Sequence, residues 1–140
     1  MKPHRARILA MQAIYQCEYL DHQVDDLVEF NWIDFAVPDG EKKMAAKIIS
    51  GVKEYHKEID TIIRDYSTNW HFDRISRVNR AILRISIYQY LYDDIPEKVI
   101  IDEAIKLARE YAEDDASRFV NGVLDAVFKS LERKNVNHGK

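Results

Sequence analysis

The stretch that decides the fold is residues 76–92, which read SRVNRAILRISIYQYLY. Placed on a helical wheel at about 100° per residue, its apolar side chains cover two sides of the helix. One side carries Val78, Ile82 and Ile85, and the other carries Leu83, Ile87 and Tyr90. Because a helix with two apolar sides must be covered by other elements, we expect residues 76–92 to form a central, mostly buried helix.

The sequence on either side repeats the helical period. Apolar residues recur three and four positions apart from Arg5 to Leu20, Val24 to Phe35, Ala45 to Tyr66, Ile101 to Tyr111 and Ala116 to Leu131. The segment from Ala45 to Tyr66 predicts two consecutive helices that bend near His56. Together with the central helix, these segments predict an all-α fold of about seven helices.

Prolines, a glycine and acidic residues mark the predicted helix ends. Pro38, Asp39 and Gly40 are typical of a turn, because proline and glycine supply the backbone angles that turns need. Pro96 ends the central helix, and Asp115 stands where the last helix should begin. Negative charge suits the unpaired amides and the dipole of a helix start, so Asp115 is a candidate cap.

The composition favours one helical domain. The chain has 140 residues, of which 46% are hydrophobic and 32% charged, and it contains only 3 prolines and 4 glycines. That length is enough to bury a single core. We expect a compact single-domain bundle over residues 1–134, followed by a polar tail at 135–140 that should be disordered.

Several classes of function find no support in the sequence. It contains no run of about 18 apolar residues, so we expect a cytoplasmic protein that does not associate with membranes. Cys17 is the single cysteine, which excludes an intramolecular disulfide and disfavours a cysteine-based zinc site. The five histidines lack metal-ligand spacing, and no glycine-rich phosphate loop occurs. We therefore expect no enzymatic activity, no cofactor and no metal.

Positive charge is concentrated at the N-terminus. The segment as far as the cysteine contains Lys2, Arg5 and Arg7 and no acid, although the whole chain has a net charge of −3. On a helix, Gln12 and Tyr15 fall beside Arg5 on a strip opposite the main apolar face. This strip is a candidate surface for single-stranded RNA, because arginine attracts phosphates and unstacked bases can lie on aromatic rings. The alternative is that the tyrosine packs under a neighbouring helix.

Two further groups of residues stand out on the predicted helices. Arg77, Arg80 and Arg84 project from one side of the central helix, where they are either paired to acids of adjacent helices or available to a ligand. Gly122 lies inside the last helix, where glycine costs about 1 kcal/mol relative to alanine. We expect another backbone or a ligand to approach it closely. Its neighbour Phe119 is either a core-edge residue or a stacking surface for a base.

Three segments of the chain together resemble the NusB family of transcription antitermination factors. They are residues 5–16, residues 70–88 with RVNRAILR at 77–84, and residues 119–125, FVNGVLD. The stretch IDEAI at 101–105 strengthens the likeness. The resemblance implies a helical bundle that binds boxA-type RNA as a heterodimer with NusE, a small-subunit ribosomal protein. It also implies a role in rRNA transcription, within a transcribing RNA polymerase complex that contains other Nus factors.

The resemblance also implies two surfaces. By position, the RNA surface would consist of Lys2, Arg5, Arg7, Gln12 and Tyr15, together with Arg118, Phe119 and Asn121 of the last helix. The surface for NusE would consist of Asn79, Arg80, Arg84, Tyr88 and Asp115. Many members of the family carry an acid where Asn79 stands, and their N-terminal basic run is often longer. We therefore expect weak RNA binding without the partner.

The sequence leaves two other functions open. One is a helical adaptor that binds only protein, in which case charge reversal at Arg5 and Arg7 would leave its binding unchanged. The other is a stand-alone relative of the N-terminal domain of rRNA cytosine methyltransferases, which would be expected to bind S-adenosylmethionine. It is also open whether the free protein forms a homodimer through exposed aromatic residues such as Tyr15 and Tyr88.

Overall fold

The structure is a computed structural model that describes residues 1–17, 27–30, 32–33, 35–67 and 71–134. Within these ranges it contains five α-helices, one 3₁₀ turn and no β-strand, which confirms the all-α class. The helices are α1 (Pro3–Gln16), α2 (Asp39–Tyr66), α3 (Arg77–Tyr92), α4 (Glu97–Tyr111) and α5 (Ala116–Ser130), and the turn is Phe72–Arg74. None of these five helices has the length and apolar character needed to span a membrane.

The helix α3 is the centre of the fold, as its sequence predicts. It contacts each of the other four helices. Ile82, Leu83 and Ile87 have no exposed surface, and the whole second half of the helix as far as Leu91 is buried. Burial of a side chain of this size contributes about 2 kcal/mol to stability, so this helix holds the bundle together.

The number of described helices is smaller than the predicted number of about seven. The two helices predicted around His56 form one element, α2, whose backbone leaves helical geometry at Tyr55 (φ −108°, ψ 16°). The bend is thus confirmed, although the two halves remain continuous. Part of the helix predicted from Val24 to Phe35 lies outside the described residues, and the described residues 27–29 form a turn.

Other predictions fall partly or wholly outside the described ranges. They concern the end of the first predicted helix at Leu20, Trp70 in the second NusB-like segment and the polar tail at 135–140. The described helix α1 ends at Gln16, and the backbone of Cys17 is extended (φ −90°, ψ 116°).

One predicted helix end differs from the structure, and another is confirmed in its position only. The helix α2 begins at Asp39, so the turn predicted at residues 38–40 is wrong. The proline instead precedes a helical turn in which Asp39 and Glu41 supply the negative charge that a helix start favours. Asp115 does occupy the cap position of α5, but its side chain makes no capping hydrogen bond. Ser76 caps α3, and its hydroxyl oxygen accepts from the backbone N–H of Asn79 at 3.1 Å.

Candidate nucleic-acid interface

The basic N-terminus lies where α1 meets the start of α2. The backbone N–H of Lys2 donates to Oε2 of Glu41 at 3.3 Å, and Nε of Arg5 lies 3.5 Å from Oε1 of the same carboxylate. Glu41 is buried, whereas the side chain of Arg5 keeps 47% of its surface exposed. The start of α1 is therefore anchored by one buried carboxylate while both Lys2 and Arg5 remain on the surface.

Arg7 does not lie on this surface, contrary to the role that the resemblance implied. Its side chain is only 5% exposed. Nε donates to Oε1 of Gln89 at 3.2 Å, and Nη1 donates to Oε1 of Glu103 at 3.3 Å. Burial lowers the pKa of the guanidinium, and the charge of Glu103 opposes that shift. Arg7 therefore joins α1 to α3 and α4 and is not placed to contact RNA.

His4 extends the contact of α1 with α4. Its Nδ1 lies 2.7 Å from Oε1 of Glu103, and its Nε2 lies 2.8 Å from Oε1 of Glu110. Two adjacent turns of α1 are thus held by acidic side chains of α4. This network fixes the direction in which the outer face of α1 points.

The outer face of α1 carries Gln12, which is half-buried, and Tyr15, which is 43% exposed. The guanidinium of Arg77 lies 5.0 Å from the centre of the tyrosine ring, and Nη2 of Arg77 donates to the backbone oxygen of Tyr15 at 2.6 Å. A cation over an aromatic face is attracted to it electrostatically. The tyrosine is therefore available on the surface, and α3 adds a positive charge beside it.

A cavity of about 290 Å³ opens next to this pair. Its lining consists of Ile14, Tyr15, Cys17, Arg77, Arg80 and Arg84, and we call it the arginine cavity. Three guanidinium groups from successive turns of α3 thus face the end of α1. The sequence indicated that these arginines share one side of the helix, but it could not show that they line a cavity with Tyr15.

Arg84 is the member of this group with a structural role. Its Nε and Nη2 donate to the two carboxylate oxygens of Asp60 at 2.8 and 2.9 Å. The side chain of Arg84 is only 14% exposed. A two-point hydrogen bond of this kind between a guanidinium and a carboxylate is strong and directional. The implied role of Arg84 in partner binding is thus at odds with its position between α2 and α3.

Tyr88 also lies in the core, so the expectation that it forms an exposed partner surface is wrong. It is 5% exposed, and its ring packs against Gly51 of α2. Burial raises the pKa of its hydroxyl to about 12. A homodimer surface built on Tyr88 is excluded by this placement, which leaves Tyr15 as the exposed member of the predicted pair.

A second cavity, of about 470 Å³, lies between the starts of α3 and α5. We call it the interhelix cavity, and its lining consists of Arg74, Ile75, Ser76, Asn79, Glu113, Asp114, Asp115, Ala116 and Phe119. It brings together Asn79 and Asp115, which the resemblance assigned to the partner surface. Oδ1 of Asn79 is buried and has no hydrogen-bond partner among the described residues. A buried acceptor without a partner is uncommon in folded proteins, because its burial costs free energy that no hydrogen bond offsets.

The residues predicted on α5 lie on its outer side. Arg118, Asn121 and Gly122 are exposed, and Phe119 is half-buried at the edge of the core. A Cβ added to Gly122 would meet no atom of the described residues within 4 Å. The hypothesis that another backbone approaches this glycine is therefore wrong, and the other hypothesis, that a ligand approaches it, stays a prediction.

Neither cavity contains a group of side chains that could bind a metal ion, since no suitable cluster of histidine, cysteine or acidic residues occurs within the described ranges.

The model of the NusB family matches residues 4–129. This chain belongs to the NusB family. The transcription antitermination protein NusB of Leptospira biflexa serovar Patoc is 39% identical over 127 residues, which cover 90% of this chain and 91% of the relative. The corresponding protein of Bacillus velezensis is 39% identical over 135 residues, which cover 94% of this chain and 99% of the relative. The recognition made from the three NusB-like segments is thus confirmed.

Solved NusB structures share the fold. The NusB of T. maritima matches with a TM-score of 0.84 and 33% identity over 93% of this chain and 92% of that chain. A crystal structure of the antitermination factors NusB and NusE in complex with dsRNA matches with a TM-score of 0.75 and 26% identity. That match covers 91% of this chain and 96% of the other.

The NusB fold separates the predicted site residues into three groups and places the remaining one, Arg80, in the arginine cavity. The exposed group comprises Lys2, Arg5, Gln12, Tyr15, Arg118 and Asn121, with Gln12 half-buried. The residues of the interhelix cavity are Asn79, Asp115 and Phe119. The third group is buried or mostly buried and makes contacts inside the protein; it comprises Arg7, Arg84 and Tyr88. The sequence analysis did not assign Arg77 to the RNA surface or to the partner surface. Its spacing from Arg80 and Arg84 nevertheless indicated that the three arginines share one side of the central helix.

Proposed function

We propose that this NusB-family protein is a transcription antitermination factor that binds boxA-type RNA as a heterodimer with NusE. It would act in the cytoplasm, in rRNA transcription, within the transcribing RNA polymerase complex that contains other Nus factors. The observation that carries the proposal is the match over 91% of the chain to NusB in a complex with NusE and dsRNA. The function consists of binding, so it includes no covalent step, no cofactor and no catalytic residue.

The RNA surface in this proposal combines the outer face of α1 with the exposed side of α5. Lys2, Arg5 and Arg118 supply positive charge for phosphates, an attraction that depends on salt. Tyr15 offers a ring on which an unpaired base can stack, and Gln12 and Asn121 offer amides that can read base edges. The mixture of charge, ring and amide favours recognition of a particular strand over general attraction to nucleic acid.

The partner surface in this proposal is the interhelix cavity. Its rim is acidic, with Glu113, Asp114 and Asp115 exposed. Its wall contains the half-buried Phe119 and Oδ1 of Asn79, which no described residue hydrogen-bonds. An apolar wall with a few polar atoms at its rim is typical of a surface that binds another protein. The two surfaces meet at the start of α5, which is consistent with cooperative binding of RNA and partner.

Fluorescence anisotropy of a labelled boxA-type RNA tests the proposal directly. The titrations use the protein alone and with equimolar NusE, against boxA-type and scrambled RNA, each single-stranded and double-stranded. The variant is Arg5→Glu, which reverses an exposed charge and leaves the buried Arg7 in place. Because it also removes the cation beside Glu41, urea unfolding is measured first to establish that the variant is folded. The matched control is Lys98→Glu on α4, whose side chain is 86% exposed.

We expect tight binding to single-stranded boxA-type RNA only in the presence of NusE, with at least a tenfold preference over the scrambled strand. Arg5→Glu should lower the affinity by about tenfold or more, because it replaces attraction to a phosphate with repulsion. Lys98→Glu should bind like the wild type. Equal affinity for boxA-type and scrambled RNA would contradict the proposal and favour a protein-binding adaptor.

A further inference from the structure

The lining of the arginine cavity contains three arginines and no acidic residue. Its volume is about 290 Å³. Tyr15 stands at its rim with 43% of its surface exposed, so the cavity opens beside the outer face of α1. A ligand that lies along α1 therefore passes over it.

The positive charge in the cavity is only partly neutralised from within. One carboxylate, Asp60, is fully used by Arg84, to which it is joined by two hydrogen bonds. Arg77 donates to a neutral backbone oxygen. No described carboxylate forms a salt bridge with Arg77 or Arg80. Among the described residues, these three guanidinium groups thus share one carboxylate that forms a salt bridge with them.

Arg80 is the centre of this imbalance. Its guanidinium lies 5.1 Å from the centre of the Phe72 ring, which holds it in place without supplying an anion. Burial and the charge of Arg84 lower its pKa, while Asp60 and Asp73 act in the opposite direction. An anion bound beside Arg80 would relieve this repulsion and restore the solvation that the group lost on burial.

We propose that the arginine cavity binds a phosphate group of the RNA strand and that Arg80 is its main ligand. This inference rests on the proposed function, because the strand that supplies the phosphate is the one that lies along α1. The guanidinium offers two parallel N–H donors that match two phosphate oxygens. Arg77 donates from the rim and Arg84 contributes charge from its fixed pair with Asp60. This assigns Arg80 to the RNA and removes it from the partner surface.

The first test is the salt dependence of RNA binding by the full-length protein with NusE. Arg80→Gln should weaken the affinity for boxA-type RNA by about tenfold and should reduce the slope of log affinity against log salt by about 0.7, the value for one phosphate of a single strand. The matched control is Arg64→Gln. Arg64 lies over the same Phe72 ring, at 4.4 Å, but it is exposed and does not line the cavity. Its affinity and slope should equal those of the wild type.

The stability of the variant separates a ligand role from a structural one. Because Arg80→Gln removes repulsion among three cations, its urea midpoint should equal or exceed that of the wild type. A lower midpoint together with an unchanged salt slope would overturn the proposal and make Arg80 a packing residue.

A second test uses inorganic phosphate and does not depend on RNA. The difference in Tm between phosphate and chloride at equal ionic strength is measured for the wild type and for Arg80→Gln. The variant reports the general effect of phosphate on folding, which is subtracted from the effect on the wild type. A larger shift for the wild type is expected. Equal shifts would overturn the anion site. If the Tm shift is larger for the wild type but Arg80→Gln leaves the salt slope of RNA binding unchanged, the cavity binds an anion that the RNA does not supply. If the wild type with NusE fails to bind boxA-type RNA at all, the proposed function fails, while the phosphate shift still decides on the anion site.

Discussion

The ring of Tyr88 on α3 lies directly against the Cα of Gly51 on α2. A Cβ added at position 51 would be 2.1 Å from Cε1 of the ring and 2.7 Å from its hydroxyl oxygen. Both residues are buried. The absence of a side chain on α2 therefore allows an aromatic residue of the central helix to fill the space between the two helices, and it sets how closely they approach.

Gly51→Ala should destabilise the protein by about 3 kcal/mol, because the added methyl group overlaps a ring that the packed core cannot easily move. In an unconstrained helix the same change would stabilise by about 0.5–1 kcal/mol, so the sign of the effect is diagnostic. Urea unfolding measures it. The double variant Gly51→Ala/Tyr88→Val should recover part of the loss relative to the sum of the single changes. A neutral or stabilising Gly51→Ala would contradict the packing described here.

Arg7 and Arg5 stand on the same helix but should respond differently to loss of charge. Arg7→Met keeps the aliphatic stem, leaves the buried Oε1 of Gln89 without its donor and removes one of the partners of Glu103, which keeps His4. We expect a loss of about 2 kcal/mol in the free energy of unfolding, which is the cost of leaving a buried acceptor unsatisfied. Urea unfolding provides the measurement.

The matched variant for this comparison is Arg5→Met, which removes the cation beside the buried carboxylate of Glu41. Because the side chain of Arg5 is 47% exposed and the backbone N–H of Lys2 still donates to this carboxylate, the loss in stability should be smaller than that of Arg7→Met. Its RNA affinity with NusE should fall. If Arg7→Met unfolds like the wild type while its RNA affinity falls, the result would contradict the structural role of Arg7 and favour the RNA contact that the resemblance implied.

The apolar pattern predicted the parts of the fold that depend on one helix at a time. The central helix follows from two apolar sides over residues 76–92, and the bend in α2 was placed within one residue of Tyr55. The burial of Arg7 was also available from the spacing, because Arg7 lies three residues before Ala10 and seven before Ile14, on the face that they share. Arg7 was assigned to the surface because it is a basic residue, although its position on the helix predicts that it is buried.

The contacts between helices could not be predicted in this way. Arg77 and Tyr15 are 62 positions apart in sequence, and no local pattern indicates that one donates to the other. The same holds for Asp60 and Arg84, whose pairing decides that this arginine is structural. Helical spacing shows which residues share a side, but only the packing of α1 and α2 on α3 shows which side chains they meet.

Asn79 tests the partner surface. Its Oδ1 is buried in the interhelix cavity without a partner among the described residues, so a donor from NusE is the proposed occupant. Asn79→Ala should weaken NusE binding by about tenfold, because the donor of the partner would then be buried unsatisfied. Isothermal titration calorimetry measures this without RNA. Asp102→Ala, an exposed change on α4, is the control and should bind NusE with wild-type affinity. An Asn79→Ala variant that keeps wild-type affinity would place NusE elsewhere.

Gly122 distinguishes folding from binding on α5. Since a Cβ there meets no atom within 4 Å, Gly122→Ala should stabilise the free protein by about 0.5–1 kcal/mol, opposite in sign to Gly51→Ala. Gly122 lies one turn beyond Arg118, on the same side of the helix, so a strand that contacts Arg118 also covers the glycine. The added methyl group should therefore weaken binding of boxA-type RNA in the presence of NusE by at least severalfold, as anisotropy would show. Gly122→Ala that stabilises the protein and binds RNA like the wild type would mean that the strand does not reach this side of α5, and the RNA surface would then be confined to α1 and the arginine cavity.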